Sequence, residues 1–119
     1  MQSLKLTAVA AVLCVTAAAD AVAESRCGGA SWYAMTSRTA SGERMDPAQM
    51  TAAHRKLPFG TKLRVTNSRN GKSAIVRVND RGPFVRGRML DLSKAAATQL
   101  GFIRAGHAKV CFEVIGRAP

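Results

Sequence analysis

Acidic side chains are scarce in this chain: 7 Asp and Glu stand against 18 Lys and Arg in 119 residues. Those beyond residue 23 are Glu24, Glu43, Asp46, Asp80, Asp91 and Glu113. Three occupy segments that read as turns: Thr39-Ala40-Ser41-Gly42-Glu43, Asn79-Asp80-Arg81-Gly82-Pro83 and Asp91-Leu92-Ser93. His54 follows Thr51-Ala52-Ala53. Loops on a rigid scaffold are where catalytic groups usually sit. A carboxylic acid there can protonate a leaving oxygen and, once ionised, accept a proton from the attacking group. The same carboxylate beside Arg81 can instead be a turn-stabilising ion pair, and His54 can be a packed histidine that satisfies backbone groups. Metal chemistry is not suggested, because Cys27, Cys111, His54 and His107 have no zinc-ligand spacing. There is no Gly-rich phosphate loop, and the chain is short for a dinucleotide fold, so no cofactor is expected.

The elements that position these groups begin after a leader. Lys5 precedes an uncharged apolar run from Leu6 to Ala19, and Ala21-Val22-Ala23 is a small-x-small cleavage site. Residues 1–23 therefore read as a secretory signal peptide, leaving one domain over 24–119. The run is shorter than the roughly 20 residues a membrane span needs. Leu13 before Cys14 does not fit a lipid-attachment site, so no membrane anchor is expected. Loss of Lys5 and Asp20 leaves 17 basic and 6 acidic residues. Such a field favours polyanions. Export argues against nucleic acid and for cell-envelope polymers, although the charge can equally serve solubility alone. Cys27 and Cys111 lie at opposite ends of the domain, and an exported pair reads as a disulfide, the other reading being two separate thiols.

The remaining sequence reads mostly as strands. Ala30–Met35 follows a Gly28-Gly29 turn signal. Lys62–Thr66 alternates Leu63 and Val65 with basic residues, Asn70-Gly71 marks a hairpin, and Ser73–Val78 follows. Val110, Phe112 and Val114 alternate along another strand. One helix is expected from Lys94 to Leu100, capped by Ser93 and ended by Gly101, with Asp91 assisting the cap. Short strands, turns and one helix in under 100 residues suggest a small, mainly β closed barrel.

The runs Ala30-Ser31-Trp32-Tyr33, Thr39–Glu43 and Thr51-Ala52-Ala53-His54-Arg55-Lys56-Leu57-Pro58-Phe59-Gly60-Thr61 occur in that order. Val78-Asn79-Asp80-Arg81-Gly82-Pro83-Phe84 and Gly87-Arg88-Met89-Leu90-Asp91-Leu92-Ser93 follow. Together they resemble the rare lipoprotein A (RlpA) family of septal-ring lytic transglycosylases, over about Gly29 to Gly116. The resemblance implies a six-stranded double-psi β-barrel with one short helix. It also implies cleavage of peptidoglycan glycan strands between N-acetylmuramic acid and N-acetylglucosamine, leaving 1,6-anhydromuramic ends.

Carried over by motif, the implicated positions are Glu43, His54 and Asp80. Asp80 is the candidate acid and base, its pKa raised by burial or by Glu43, and His54 the orienting group. Trp32, Tyr33 and Phe84 could stack on sugar rings or belong to the core. Arg81 could steer a substrate carboxylate. The chain departs from the family pattern in Ala34, where Gly is common, in the short Met35–Arg38 loop, and in lacking the lipid-attachment cysteine. With the sequence running to Pro119, the SPOR domain of longer members is not expected. The expectation is a monomeric exported enzyme of the periplasm or cell envelope. The alternative is a non-catalytic wall-binding or wall-loosening module.

Overall fold

The computed structural model describes residues 25–117; the expected signal peptide and its cleavage site lie outside them. Six strands and one helix follow in the order β1 (Arg26–Tyr33), β2 (Thr51–Ala53), β3 (Lys62–Asn67), β4 (Ser73–Asp80), β5 (Arg88–Ser93), α1 (Lys94–Leu100) and β6 (His107–Gly116). They close into a barrel, β1-β5-β2-β4-β3-β6. The pairs β1/β5 and β2/β4 are parallel and the other four antiparallel. Among the described residues, closure leaves no unpaired sheet edge. This is the mainly β, six-stranded barrel with one short helix that the sequence led us to expect.

Period-two alternation builds the core. Leu63 and Val65 of β3, Ala74, Val76 and Val78 of β4, and Val110 and Phe112 of β6 point inward, with Arg64, the exposed Ile75, Arg77 and Cys111 between them on the outer face. Leu90 and Leu92 of β5 complete the interior. Helix α1 closes the barrel with Ala96, Ala97 and Leu100. The Ser93 side chain accepts the Ala96 N–H at its start, and Gly101 ends it at φ 78°, donating its N–H to Ala97 and Thr98 carbonyls.

Three local expectations are corrected. Gly28-Gly29 is not a turn but lies within β1, where a Cβ on Gly29 would sit 2.5 Å from the Gly87 carbonyl oxygen. The missing side chain lets β1 and β5 approach across a register shift. Ala34 and Met35 fall beyond β1, which ends at Tyr33. Asp91-Leu92-Ser93 is not a turn but the end of β5, and Asp91 accepts a hydrogen bond from the Ser31 hydroxyl rather than assisting the helix cap. Ser93 performs that capping alone.

Candidate active site

Asp80 is the last residue of β4. Its position follows from the strand's alternation: Val78 fills the core, Asn79 is buried, and Asp80 emerges half-buried where the chain turns. The turn needs Gly82, whose φ of 119° is closed to residues with a Cβ.

Three chain segments converge on Asp80. The 39–43 turn donates the Ala40 N–H to Oδ1 at 2.9 Å, and Oδ1 also accepts the Arg81 N–H at 2.9 Å. From the end of β1, the Tyr33 hydroxyl donates to Oδ2 at 3.2 Å. From the end of β2, the His54 N–H donates to the Asp80 carbonyl at 3.1 Å. The two carboxylate oxygens are thus unequal. Oδ1 accepts two backbone donors, whereas Oδ2 accepts one rotatable hydroxyl. Burial, and then the neighbouring Asp80 carboxylate, push the Tyr33 phenol well above its ordinary pKa, so it stays a donor.

Glu43 is engaged by partners other than Asp80. Arg77 grips it with both terminal nitrogens at 2.8 Å, and Asn79 Nδ2 adds a bond at 3.1 Å. The Arg77 bonds hold its carboxyl down to about 2, against the opposing effect of burial. Glu43 is therefore a compensated, ionised anchor. It fixes the turn whose Ala40 N–H reaches Asp80, and that turn is closed by Thr39 N–H to the Glu43 carbonyl at 2.8 Å.

His54 is buried, and its Nδ1 accepts the N–H groups of Lys56 and Leu57 at 3.1 and 3.0 Å. That pattern puts the proton of the neutral ring on Nε2. Burial lowers its pKa, with the positive charges of Arg26, Arg81 and Arg55 acting in the same direction. The ring braces the 54–57 segment through these two bonds.

Arg81 donates to the His54 and Leu57 carbonyls at 3.3 and 2.8 Å and stacks its guanidinium 3.9 Å from the Phe59 ring centre. Its terminal nitrogen is committed to holding these loops together. Trp32 is half-buried, packs on the core, and donates to the Ile103 carbonyl at 3.2 Å. Phe84 is 80% exposed, on a loop that Arg55 pins through the Pro83 and Val85 carbonyls. Of the aromatics named from sequence, Phe84 offers the open face, Tyr33 contacts Asp80, and Trp32 braces the core.

Sequence reasoning missed Arg77, Asn79, Arg55 and Phe59. The Arg-Gly-Pro turn signalled Asp80, but one arginine among so many basic residues signals nothing by itself. Asp91 also needs re-placing. Ala53 of β2 pairs with Asp80 on one side and Asp91 on the other. The two carboxylates thus flank one strand, about 9–10 Å apart in backbone spacing. Among the described residues, no group of three His, Cys, Asp or Glu is placed to hold a metal ion. Cys27 and Cys111 face each other across β1 and β6 and form a disulfide.

The closed six-stranded barrel with its two parallel pairs, β1/β5 and β2/β4, is of the double-psi class. The family model described as lytic transglycolase matches residues 25–112, and the chain belongs to that family. It is 65% identical over 79 residues to the "Probable endolytic peptidoglycan transglycosylase RlpA" of Nostoc sp., covering 66% of this chain and 21% of that protein. It is 54% identical over 91 residues to the "Endolytic peptidoglycan transglycosylase RlpA" of Neisseria meningitidis serogroup A, covering 74% and 38%. The chain therefore spans roughly a fifth to two fifths of the length of these relatives.

Among solved structures, a mutant of the Clavibacter michiganensis expansin in complex with cellohexaose superposes with a TM-score of 0.65 at 22% identity, covering 81% of this chain and 54% of that one. The Streptomyces papain inhibitor superposes at 0.61 and 24%, covering 76% and 94%. These two likenesses are of fold.

Proposed function

We propose that this chain is an exported endolytic lytic transglycosylase, cleaving peptidoglycan between N-acetylmuramic acid and N-acetylglucosamine. Family membership and the names of its curated relatives support the reaction class. The observation that carries the mechanism is the inequality of the two Asp80 oxygens. Protonated on Oδ2, Asp80 gives its proton to the glycosidic oxygen as the C1–O bond breaks. The muramic C6 hydroxyl attacks C1, forming the 1,6-anhydro ring, and its proton passes to the ionised Oδ2. Atoms balance without water, and Asp80 returns to its protonated form. One carboxyl serves as acid and then base.

Tyr33 follows Oδ2 through both states, because its hydroxyl can rotate to donate or accept. Glu43 and His54 are positioning residues. The first holds the Ala40 N–H on Oδ1, and the second holds the end of β2 against Asp80. Phe84 supplies a stacking face for a sugar ring. The apolar leader is read as directing the chain to the envelope. Among the described residues no helix is long and apolar enough to cross a membrane.

The test is turnover of purified sacculi by wild type and Asp80→Asn. Asparagine keeps the size and accepts the same backbone N–H groups, but it has no proton to give. Soluble muropeptide release should fall about 10²–10⁴-fold. Undiminished release by Asp80→Asn would remove Asp80 from the reaction. No release by wild type from intact or peptide-stripped sacculi would favour a wall-binding module.

A further inference from the structure

A cleft of about 480 Å³ opens at the start of β4, far from its catalytic end. It is lined by Arg69 and Asn70 of the β3–β4 turn, by Phe102 after α1, and by His107 and Lys109 of β6. Gln99 ties the helix to the first residue of β4 through the Ser73 carbonyl. Asp80 is seven residues further along that strand, about 23 Å at the usual strand rise. The cleft is thus separate from the acid site.

Its polar chemistry is one-sided. The helix end would ordinarily present carbonyl oxygens, which repel anions. Here the Leu100 carbonyl accepts both the Asn67 and the Asn70 side-chain amides, at 2.9 and 3.0 Å. The Ala97 and Thr98 carbonyls are taken by the N–H groups of Gly101 and Phe102. The side-chain oxygens of Asn67 and Asn70 are taken in turn by the Arg69 and Lys72 N–H groups. The lining residues left with uncommitted side chains include Arg69 and Lys109, which can only donate, and His107, which carries a ring N–H. Lys72 adds to them, since a Cβ on Gly101 would lie 3.5 Å from its Nζ. No described acidic residue lines the cleft, and neither Arg69 nor Lys109 forms an ion pair among the described residues.

From this arrangement we propose that the cleft is a second binding site, for phosphate groups of an anionic envelope polymer or lipid surface. Donors from two separate chain segments suit a tetrahedral group with acceptor oxygens in more than one plane, better than a planar carboxylate. The site would hold the barrel at an anionic surface while the opposite end meets glycan.

The experiment follows backbone amide resonances of the disulfide-bonded protein during titration with a linear polyphosphate, with poly-glutamate of matched charge and with phosphatidylglycerol vesicles. Wild type should show saturable shifts centred on residues 67–72 and 101–109 with polyphosphate. Binding should weaken at least tenfold in Arg69→Gln/Lys109→Gln, whose unfolding midpoint should match wild type. Vesicle binding lost in the same variant would identify a lipid headgroup as a source, and polyphosphate binding alone would identify a soluble or wall-linked phosphate polymer. Equal affinity for poly-glutamate at these residues would overturn the assignment to phosphate. Shifts spread over all basic residues, or full binding by the double variant, would overturn the site itself.

Discussion

In the proposed mechanism Asp80 works through the difference between its two oxygens, so the groups around it should be separable by kinetics. Tyr33→Phe removes the one donor on Oδ2 among the described residues while leaving the ring. Turnover should fall roughly tenfold, the scale of one hydrogen bond to a charged group, with substrate affinity little changed. A variant as fast as wild type would show that the hydroxyl is idle. Two neighbours also set an acid limit on stability. The folded-state pKa of His54 lies below its ordinary 6.5, so the folded chain resists a proton that the unfolded chain accepts. Stability is therefore flat above the ordinary histidine range and falls as pH drops through 6.5. Glu43 contributes in a lower window, its stabilisation fully present above 4.5 and lost as pH falls toward 2. Because both partners are more than a third exposed, the pair is worth about 0.2–1 kcal/mol, well below what the shift alone implies. Unfolding midpoints measured from pH 8 to 3 should show both steps, and His54→Asn should flatten the upper one. An upper step unchanged in that variant would assign it to another group.

At the scale of elements, the site depends on strand β4 holding a turn that is distant in sequence. Arg77 points outward two residues before Asn79, and both hold Glu43, which anchors the 39–43 turn over Asp80. Arg77→Met should lower kcat roughly tenfold, because the Ala40 donor is no longer fixed, while KM changes little. Arg77→Lys should restore only part of the rate, since an ammonium lacks the planar fork. Full activity in Arg77→Met would show that the turn holds its place without the clamp. These elements were unequally legible in the sequence. Strands β3 and β6 announce themselves by alternation, β4 by the Asn70-Gly71 turn before it, and α1 by Ser93 and Gly101. Strand β2 is three wholly buried residues, Thr51-Ala52-Ala53, too short for any period to show. Strand β5 ends directly at a helix cap, and its Asp91 was read as part of that cap. Glycines in β1 suggested a turn because close approach and chain reversal demand the same residue. For the site, turn composition exposed Asp80 and Glu43. The Arg77 clamp could not be read, since it joins residues 34 positions apart.

Taken whole, the molecule is a small barrel whose first and last strands are stapled. The Cys27–Cys111 disulfide spans 84 residues of sequence. In the chain-entropy account, closing a loop of that length restricts the unfolded state by about 4–5 kcal/mol. Cys27→Ser/Cys111→Ser should lose most of that in denaturant unfolding. A loss below about 1 kcal/mol would mean that barrel closure alone holds the ends. The excess of basic residues should make binding to isolated wall polymer weaken with salt, and affinity independent of ionic strength would leave the charge without a role in binding. The central claim is that a sugar hydroxyl, not water, completes the reaction. It is tested most directly by mass spectrometry of the glycan ends released from purified sacculi. One carboxyl acting alone predicts 1,6-anhydromuramic ends, lighter than reducing ends by one water. Reducing ends would contradict it: they would require an activated water and a second carboxylate, for which Asp91, across β2 from Asp80, is placed and the clamped Glu43 is not.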